Sequence, residues 1–309
     1  MTIPRISARD IMPDPLRGGI AALGNFDGFH LGHQAVAGEA IRQAKAAGKP
    51  AIIATFDPHP VRYFAPDAAP FRLTTLDQRQ RLFETSGADA MLVFEFDSEL
   101  ASTTAEDFIA KLLVERLGLS GVVTGEDFTF GKGRSGNIGV LKDFGAACGL
   151  SSTAIGPVID TDGVISSSRI REALQAGDCK TANRLLTRPF AIEGTVQHGD
   201  KNGRLLGYPT ANIDIGNYLR PRYGVYAVTG RLADGRVLKG AANIGIRPQF
   251  TPPKELLEPH FFDFAEEIYD QKLEVAFHAF LRGEAKFDSL DALKAQMAAD
   301  CAKARDLLG

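Results

Sequence analysis

Through about residue 185, short apolar runs alternate with stretches of helical period. Gly19–Leu23, Ala51–Phe56, Ala90–Phe94 and Gly121–Thr124 read as strands buried on both faces. Between them, Gln34–Ala47 and Ala105–Leu117 read as helices, the second with Phe108, Leu112 and Leu113 on one face. Strand and helix in alternation imply right-handed crossovers and an open, parallel, Rossmann-like α/β sheet. Such sheets bind ligands beyond the carboxyl ends of their strands.

The pattern changes near Pro189. Ile192–Gln197, Gly224–Gly230, Val237–Ile244 and Leu273–Leu281 are β-rich, separated by turn signals such as Asp234-Gly235 and His198-Gly199-Asp200. They predict a closed or nearly closed antiparallel β-barrel. A last helix, about Leu290–Leu308, carries Leu293, Met297, Cys301, Ala304 and Leu308 as an apolar stripe for core packing. The expected domains are 1–186 and 187–309.

At 309 residues the chain can hold two cores, and its 44% hydrophobic and 24% charged residues suit a soluble globular protein. The net charge of −3 gives no basic footprint, so no nucleic-acid partner is expected. The opening MTIPRISARD lacks a signal-peptide core and no apolar run is long enough for a bilayer, so no membrane association is expected. Cys148, Cys179 and Cys301 are odd in number and widely spaced, which fits a reducing, cytoplasmic setting rather than a disulfide framework. The pattern does not fix an oligomeric state.

The segment Gly24–His33, GNFDGFHLGH, joins the first strand to the first helix. Free amides at a helix N-terminus, backed by the helix dipole, attract phosphate. Glycines let backbone approach the ligand. His30 and His33, in the first turn, point toward whatever those amides hold. Zinc is a poor alternative, since no cysteine or further histidine stands at ligand spacing. Ile165–Arg171, ISSSRIR, opens another helix; Ser167 and Ser168 offer hydroxyls and Arg171 a guanidinium that can grip phosphate. Nucleotidyl transfer needs such positioning and charge neutralisation more than covalent help.

With these motifs in order, the chain resembles the bacterial bifunctional riboflavin kinase/FAD synthetases. Its first half is similar to their FMN adenylyltransferase module, a member of the H-x-G-H nucleotidyltransferases, through GNFDGFHLGH, TFDPHP (Thr55–Pro60), GEDFTFGKGRSG (Gly125–Gly136) and ISSSRIR. The resemblance implies that His30 and His33 contact the ATP phosphates. It implies that Gly24, Asn25, Phe26, Asp27 and Gly32 belong to the nucleotide site, and that Asp127 lines the cleft. Ser167, Ser168 and Arg171 would bind the leaving phosphates.

The second half resembles the riboflavin kinase module through GRLLGYPTAN (Gly203–Asn212), TRPF, GVYAV, NIGIRPQF and LRGEAKF. Gly203 and Gly207 would shape a phosphate-covering loop, with Arg204 adding charge. Thr210 and Asn212 present hard oxygens suited to Mg²⁺. Glu258, in a strand-opening E-x-H-x-x-D-F pattern, would be the general base on riboflavin. Gln249 and Pro259 depart from the family pattern. The resemblance implies ATP as co-substrate and riboflavin, FMN and FAD as substrates or products. Two rivals remain: another nucleotidyltransferase or class I aminoacyl-tRNA synthetase, which would need a K-M-S-K-S-like loop absent here, and a flavin sensor with a silent kinase site.

Overall fold

In the computed structural model, which describes residues 2–198, 207–247 and 254–309, the four apolar runs lie side by side in one parallel sheet. Its strands are β1 (Arg5–Ser7), β2 (Ile20–Leu23), β3 (Ala51–Phe56), β4 (Ala90–Phe94), β5 (Gly121–Gly125) and β6 (Ser151–Ile155). They run in the order β1-β4-β3-β2-β5-β6, every pairing parallel. All residues of β2, β3 and β4 are buried, because helices cover both faces of the sheet. Alternate side chains feed two cores. Ala21, Leu23, Ile52 and Leu92 join Phe108, Leu113 and Leu141. Ala22, Ile53 and Met91 join Phe26, Val36, Ala40 and Phe83. The helices of this unit are α1 (Leu31–Ala46), α2 (Pro60–Phe64), α3 (Leu76–Thr85), α4 (Ser98–Ser102), α5 (Ala105–Asp107) and α6 (Ile138–Ala147). A two-stranded ribbon, β7 (Ile159–Asp160) with β8 (Gly163–Val164), follows.

Two elements differ from the sequence expectation. Helix α1 starts at Leu31, not Gln34, because His30 itself caps it. The stretch expected as an α-helix over 105–117 changes after α5 to π form over Phe108–Arg116, where the Leu117 N–H donates to Leu112 O at 3.0 Å. The wider turn brings Phe108 and Leu113, five apart, to the same buried side, whereas Leu112 is only partly buried.

The chain divides into two compact units, Met1–Ala68 with Thr75–Ser166, and Ala69–Thr74 with Ser167–Gly309. The second begins with α7 (Ser167–Ala176) and α8 (Cys179–Leu186). Its barrel strands are β9 (Phe190–Gln197), β10 (Asn212–Asp214), β11 (Gly224–Leu232), β12 (Val237–Arg247), β13 (Lys254–Phe261) and β14 (Lys272–Arg282). They close in the order β10-β13-β12-β11-β14-β9, with β9 pairing back to β10. Phe190, Ile192, Ile213, Leu257, Val275 and Phe277 are fully buried. Asn183 of α8 ties two strands, donating to Phe277 O and accepting from Phe190 N.

The final helix, α9 (Leu290–Leu308), occupies the expected span. Ala304, Cys301 and Leu308 pack on Val225, Ala227 and Leu281. Asp300, which sequence pattern alone leaves on no particular face, is buried where Arg282 grips it with two nitrogens.

Residues 69–74 belong to the second unit although they interrupt the first in sequence. Arg72 pairs in parallel with Tyr218, and the Leu219 N–H donates to Arg72 O at 2.8 Å.

Candidate active sites

Strand order in the sheet reverses at β2, which has β3 on one side and β5 on the other. The Gly24–His33 turn leaves β2 at that switch point, where open α/β sheets bind ligands. Phe26, Gly28 and Phe29 all have positive φ, at 48°, 88° and 46°. For two phenylalanines this backbone is strained and persists only when its surroundings enforce it. Packing supplies part of that enforcement. Phe26 meets Phe29, Phe83 and His33 edge-on, and its ring sits 3.2 Å from where a Cβ on Gly24 would be.

His30 is buried, and its Nδ1 accepts from the His33 N–H at 3.4 Å. The proton of the neutral ring therefore sits on Nε2. The His30 and His33 rings stack, centroids 3.7 Å apart and 20° from parallel. A Cβ on Gly32 would lie 3.2 Å from the His30 ring and 3.3 Å from Ile165 O, so a side chain there would displace the histidine. Asp27 is buried in the same turn. Asp127 follows β5, exposed, with its carboxylate folded over Gly125. Two buried polar atoms, Asn25 Oδ1 after β2 and Thr124 Oγ1 on β5, have no hydrogen-bond partner. Such atoms cost about 1–3 kcal/mol each, so they mark a place built for something other than stability.

Two features here escaped the sequence reading. Arg79 of α3 is buried, and its guanidinium donates to Thr55 Oγ1 at 2.6 Å and to Asn25 O at 3.2 Å. An arginine amid Gln78 and Gln80 carries no sequence signal of that role. An aromatic group also lies past β3 and β4: Phe96 meets Phe56, Tyr63 and Phe64, and Phe64 is 70% exposed. The spacing VRYF and VFEF could have pointed to it. His59 of TFDPHP caps α2, accepting from the Val61 N–H.

Ser167, Ser168 and Arg171 stand on α7 in the second unit. Arg171 Nε donates to Phe71 O at 2.8 Å and its guanidinium lies over the Phe71 ring, which fixes its direction.

In the barrel, the expectation that Glu258 opens a strand is corrected. It lies in the middle of β13, which begins four residues earlier at Lys254. The apolar signal was weak because Glu255 alternates outward to meet Arg220 and Tyr223. Ile213 faces Leu257, and the Ala211 N–H donates to Pro259 O at 3.0 Å. That register sets Asn212 across from Glu258, while Asn243 faces Glu258 from β12. Proposed metal ligand and proposed base thus share one row of the barrel. Thr210 precedes β10 rather than standing within it. Pro259 costs the ladder one donor toward Ala211, tolerable because β10 starts there. His260 Nδ1 lies 2.9 Å from Pro209 O, anchoring the residue before Thr210. Gly207 has φ +85°. Gly203, Arg204 and Gln249 lie outside the described residues.

Comparison with known proteins separates the same two halves. A family model for FAD synthetase matches residues 13–169 and one for riboflavin kinase matches residues 186–308. The chain belongs to the bifunctional riboflavin kinase/FMN adenylyltransferase family. It is 38% identical to that enzyme of Escherichia coli K12 over 295 residues, covering 96% of this chain and 94% of the relative. It is 41% identical to the Pseudomonas fluorescens enzyme over 293 residues, covering 94% and 93%. A crystal structure described as a macrolide-efflux protein from Streptococcus pneumoniae has TM-score 0.87 at 30% identity, covering 98% of this chain and 99% of that one. Among the described residues no helix is long and apolar enough to cross a membrane. Members of this family phosphorylate riboflavin to FMN and adenylylate FMN to FAD, releasing pyrophosphate; this chain is such an enzyme, with flavins and ATP as its small-molecule substrates.

Proposed function

We propose that the two reactions are run by two separate sites, adenylylation at the Gly24–His33 turn and phosphorylation at the Asn212–Glu258 row. On this reading the functional domains are 1–186 and 187–309. The observation that carries it is the stacked His30–His33 pair at the N-terminus of α1, at the switch point of a parallel sheet. In adenylylation the FMN phosphate attacks the α-phosphorus of ATP and the bond to the β-phosphate breaks. His30 Nε2–H, His33 and the first amides of α1 hold the phosphate oxygens in line as charge moves to pyrophosphate. Gly24 and Gly32 keep ligand and histidine at close approach, Asn25, Phe26 and Asp27 shape the turn, and Asp127 borders the cleft. The resemblance gives Ser167, Ser168 and Arg171 to the leaving phosphates. The exposed rings of Tyr63 and Phe64 offer the planar isoalloxazine an apolar face to stack on.

In phosphorylation Glu258 takes the proton of the ribityl 5′-hydroxyl while that oxygen attacks the γ-phosphorus of ATP and ADP leaves. Thr210 and Asn212 are neutral oxygen donors two residues apart, a set whose chemistry fits Mg²⁺ shared with phosphate oxygens and water. When bound, the metal would neutralise charge on the transferred phosphoryl group. Gly203, Arg204 and Gly207 would cover the phosphates. A cytoplasmic location without membrane or nucleic-acid partners belongs to this reading; the net charge of −3, which gives no basic footprint, supports the lack of a nucleic-acid partner.

Incubation with riboflavin, ATP and Mg²⁺, followed by chromatography, tests this reading. FMN rising and then converting to FAD is expected. Failure of added FMN to become FAD would refute the assignment of the first unit.

A further inference from the structure

Arg79 is the least explained charge near the transferase turn. Its side chain is 4% exposed, so its guanidinium is held almost wholly out of water. It stands in the first turn of α3, the end of a helix where the dipole disfavours a cation. That end is rigid: Thr75 and Gln78 form a reciprocal capping box. A buried cation in an unfavourable field raises the cost of folding unless the site uses it.

What it holds is the entrance to the strained turn. Arg79 Nη1 donates to Thr55 Oγ1 at 2.6 Å and to Asn25 O at 3.2 Å, and Thr55 Oγ1 itself donates to Asn25 O at 2.7 Å. Arg79 Nη2 lies 3.7 Å from Asp57 Oδ1, which turns the guanidinium toward the ends of β2 and β3. Two donors on one carbonyl fix the peptide plane between Asn25 and Phe26. The next residue, Phe26, is the one held at φ 48°, and its ring supports His33 edge-on at 5.3 Å. His33 in turn stacks on His30 at 3.7 Å.

We infer that Arg79 is a positioning residue for FMN adenylylation. By clamping the Asn25 carbonyl it keeps Phe26 left-handed and so holds the two histidines in their working arrangement. Thr55 is the second half of the clamp. The inference rests on the reading that His30 and His33 serve adenylyl transfer.

The test uses the full-length chain, where riboflavin phosphorylation reports on the integrity of the same preparation. Arg79→Gln, which keeps one donor and removes the fork, should lower kcat for FAD formation by about 10²-fold, the scale of a 1 Å misplacement. KM for ATP should change by less than about 3-fold, because the phosphate-binding amides remain. FMN formation from riboflavin should be unchanged. Arg79→Lys, which restores charge and one long donor, should recover part of the lost kcat. Wild-type kcat in Arg79→Gln would overturn the inference. A parallel rise in KM with kcat intact would overturn it too, by marking Arg79 as a binding group. If Arg79→Gln does not fold, Thr55→Val decides, since it removes only the shared hydroxyl. A fall of about 3- to 10-fold in kcat is expected there, and unchanged kcat refutes the clamp. His30→Ala, measured alongside, separates the two levels. If it still forms FAD at the wild-type rate, the histidine reading fails, whatever Arg79 does.

Discussion

Replacing Gly32 by alanine should slow FAD synthesis without weakening the protein. The new Cβ would stand 3.2 Å from the Cε1 and Nδ1 of His30 and 3.3 Å from Ile165 O. Carbon contacts are comfortable at about 3.5–4.0 Å, so the ring must retreat by about 0.4 Å. Gly32 lies in the first turn of α1 and is not among the glycines of positive φ, so the backbone accepts alanine. Alanine favours the helix by about 0.5–1 kcal/mol over glycine. Against that, the His30 cap on the His33 amide is already long at 3.4 Å and would be lost. A cap contributes about 1 kcal/mol, so the two terms nearly cancel. The rate has no such compensation. If a 1 Å misplacement costs about 10²-fold, a shift of about 0.4 Å costs several-fold to about 10-fold in kcat. The assay is FAD formation from FMN and ATP, with riboflavin phosphorylation and a thermal melt on the same sample. A rate within about 2-fold of wild type, with the melt unchanged, would refute the claim that the His30 ring position governs the reaction.

Other outcomes follow from the barrel. Asp300→Ala removes the partner of half-buried Arg282 and the acceptor of Gln296, and calorimetry should register a loss of about 2–3 kcal/mol from the second unit. FAD formation from added FMN should persist in that variant. Arg220 beside Glu255 holds its carboxyl below the ordinary glutamate value of 4.5, while burial and then Glu255 push the Tyr223 phenol up to about 12. The folded carboxyl titrates below the unfolded one, so this stabilisation is complete above pH 4.5 and is lost as pH falls through the folded value. Melting temperature plotted against pH should therefore drop on the acid side, and Glu255→Gln should flatten that drop; an unchanged slope would exclude Glu255 as its source.

Legibility of the fold followed burial. The centres of the first sheet, β2 to β5, are apolar on both faces and stand in the sequence as unbroken runs within a residue of their observed ends. Edge strands escaped: β1 has three residues and β6 reads Ser-Ser-Thr-Ala-Ile, half-exposed through most of its length. β13 was missed in its first half because Glu255, which pairs with Arg220, breaks its apolar pattern. The π stretch was invisible since Phe108, Leu112 and Leu113 satisfy a helical period as well as the wider one. For the sites, glycines and histidines announced the turn, because their spacing reflects local geometry. Arg79 did not announce itself. It acts through a contact 54 residues away in sequence, between Nη1 and the Asn25 carbonyl, and no local pattern encodes such a partner.

If one chain carries two separable sites, paired variants must lose the two reactions independently. Purified His30→Ala and Glu258→Ala proteins would each be given riboflavin or FMN with ATP and Mg²⁺, and their flavins separated over time. His30→Ala should accumulate FMN and make no FAD, whereas Glu258→Ala should leave riboflavin untouched but convert added FMN to FAD. If either variant, shown to be folded, loses both reactions, the two-site account is contradicted.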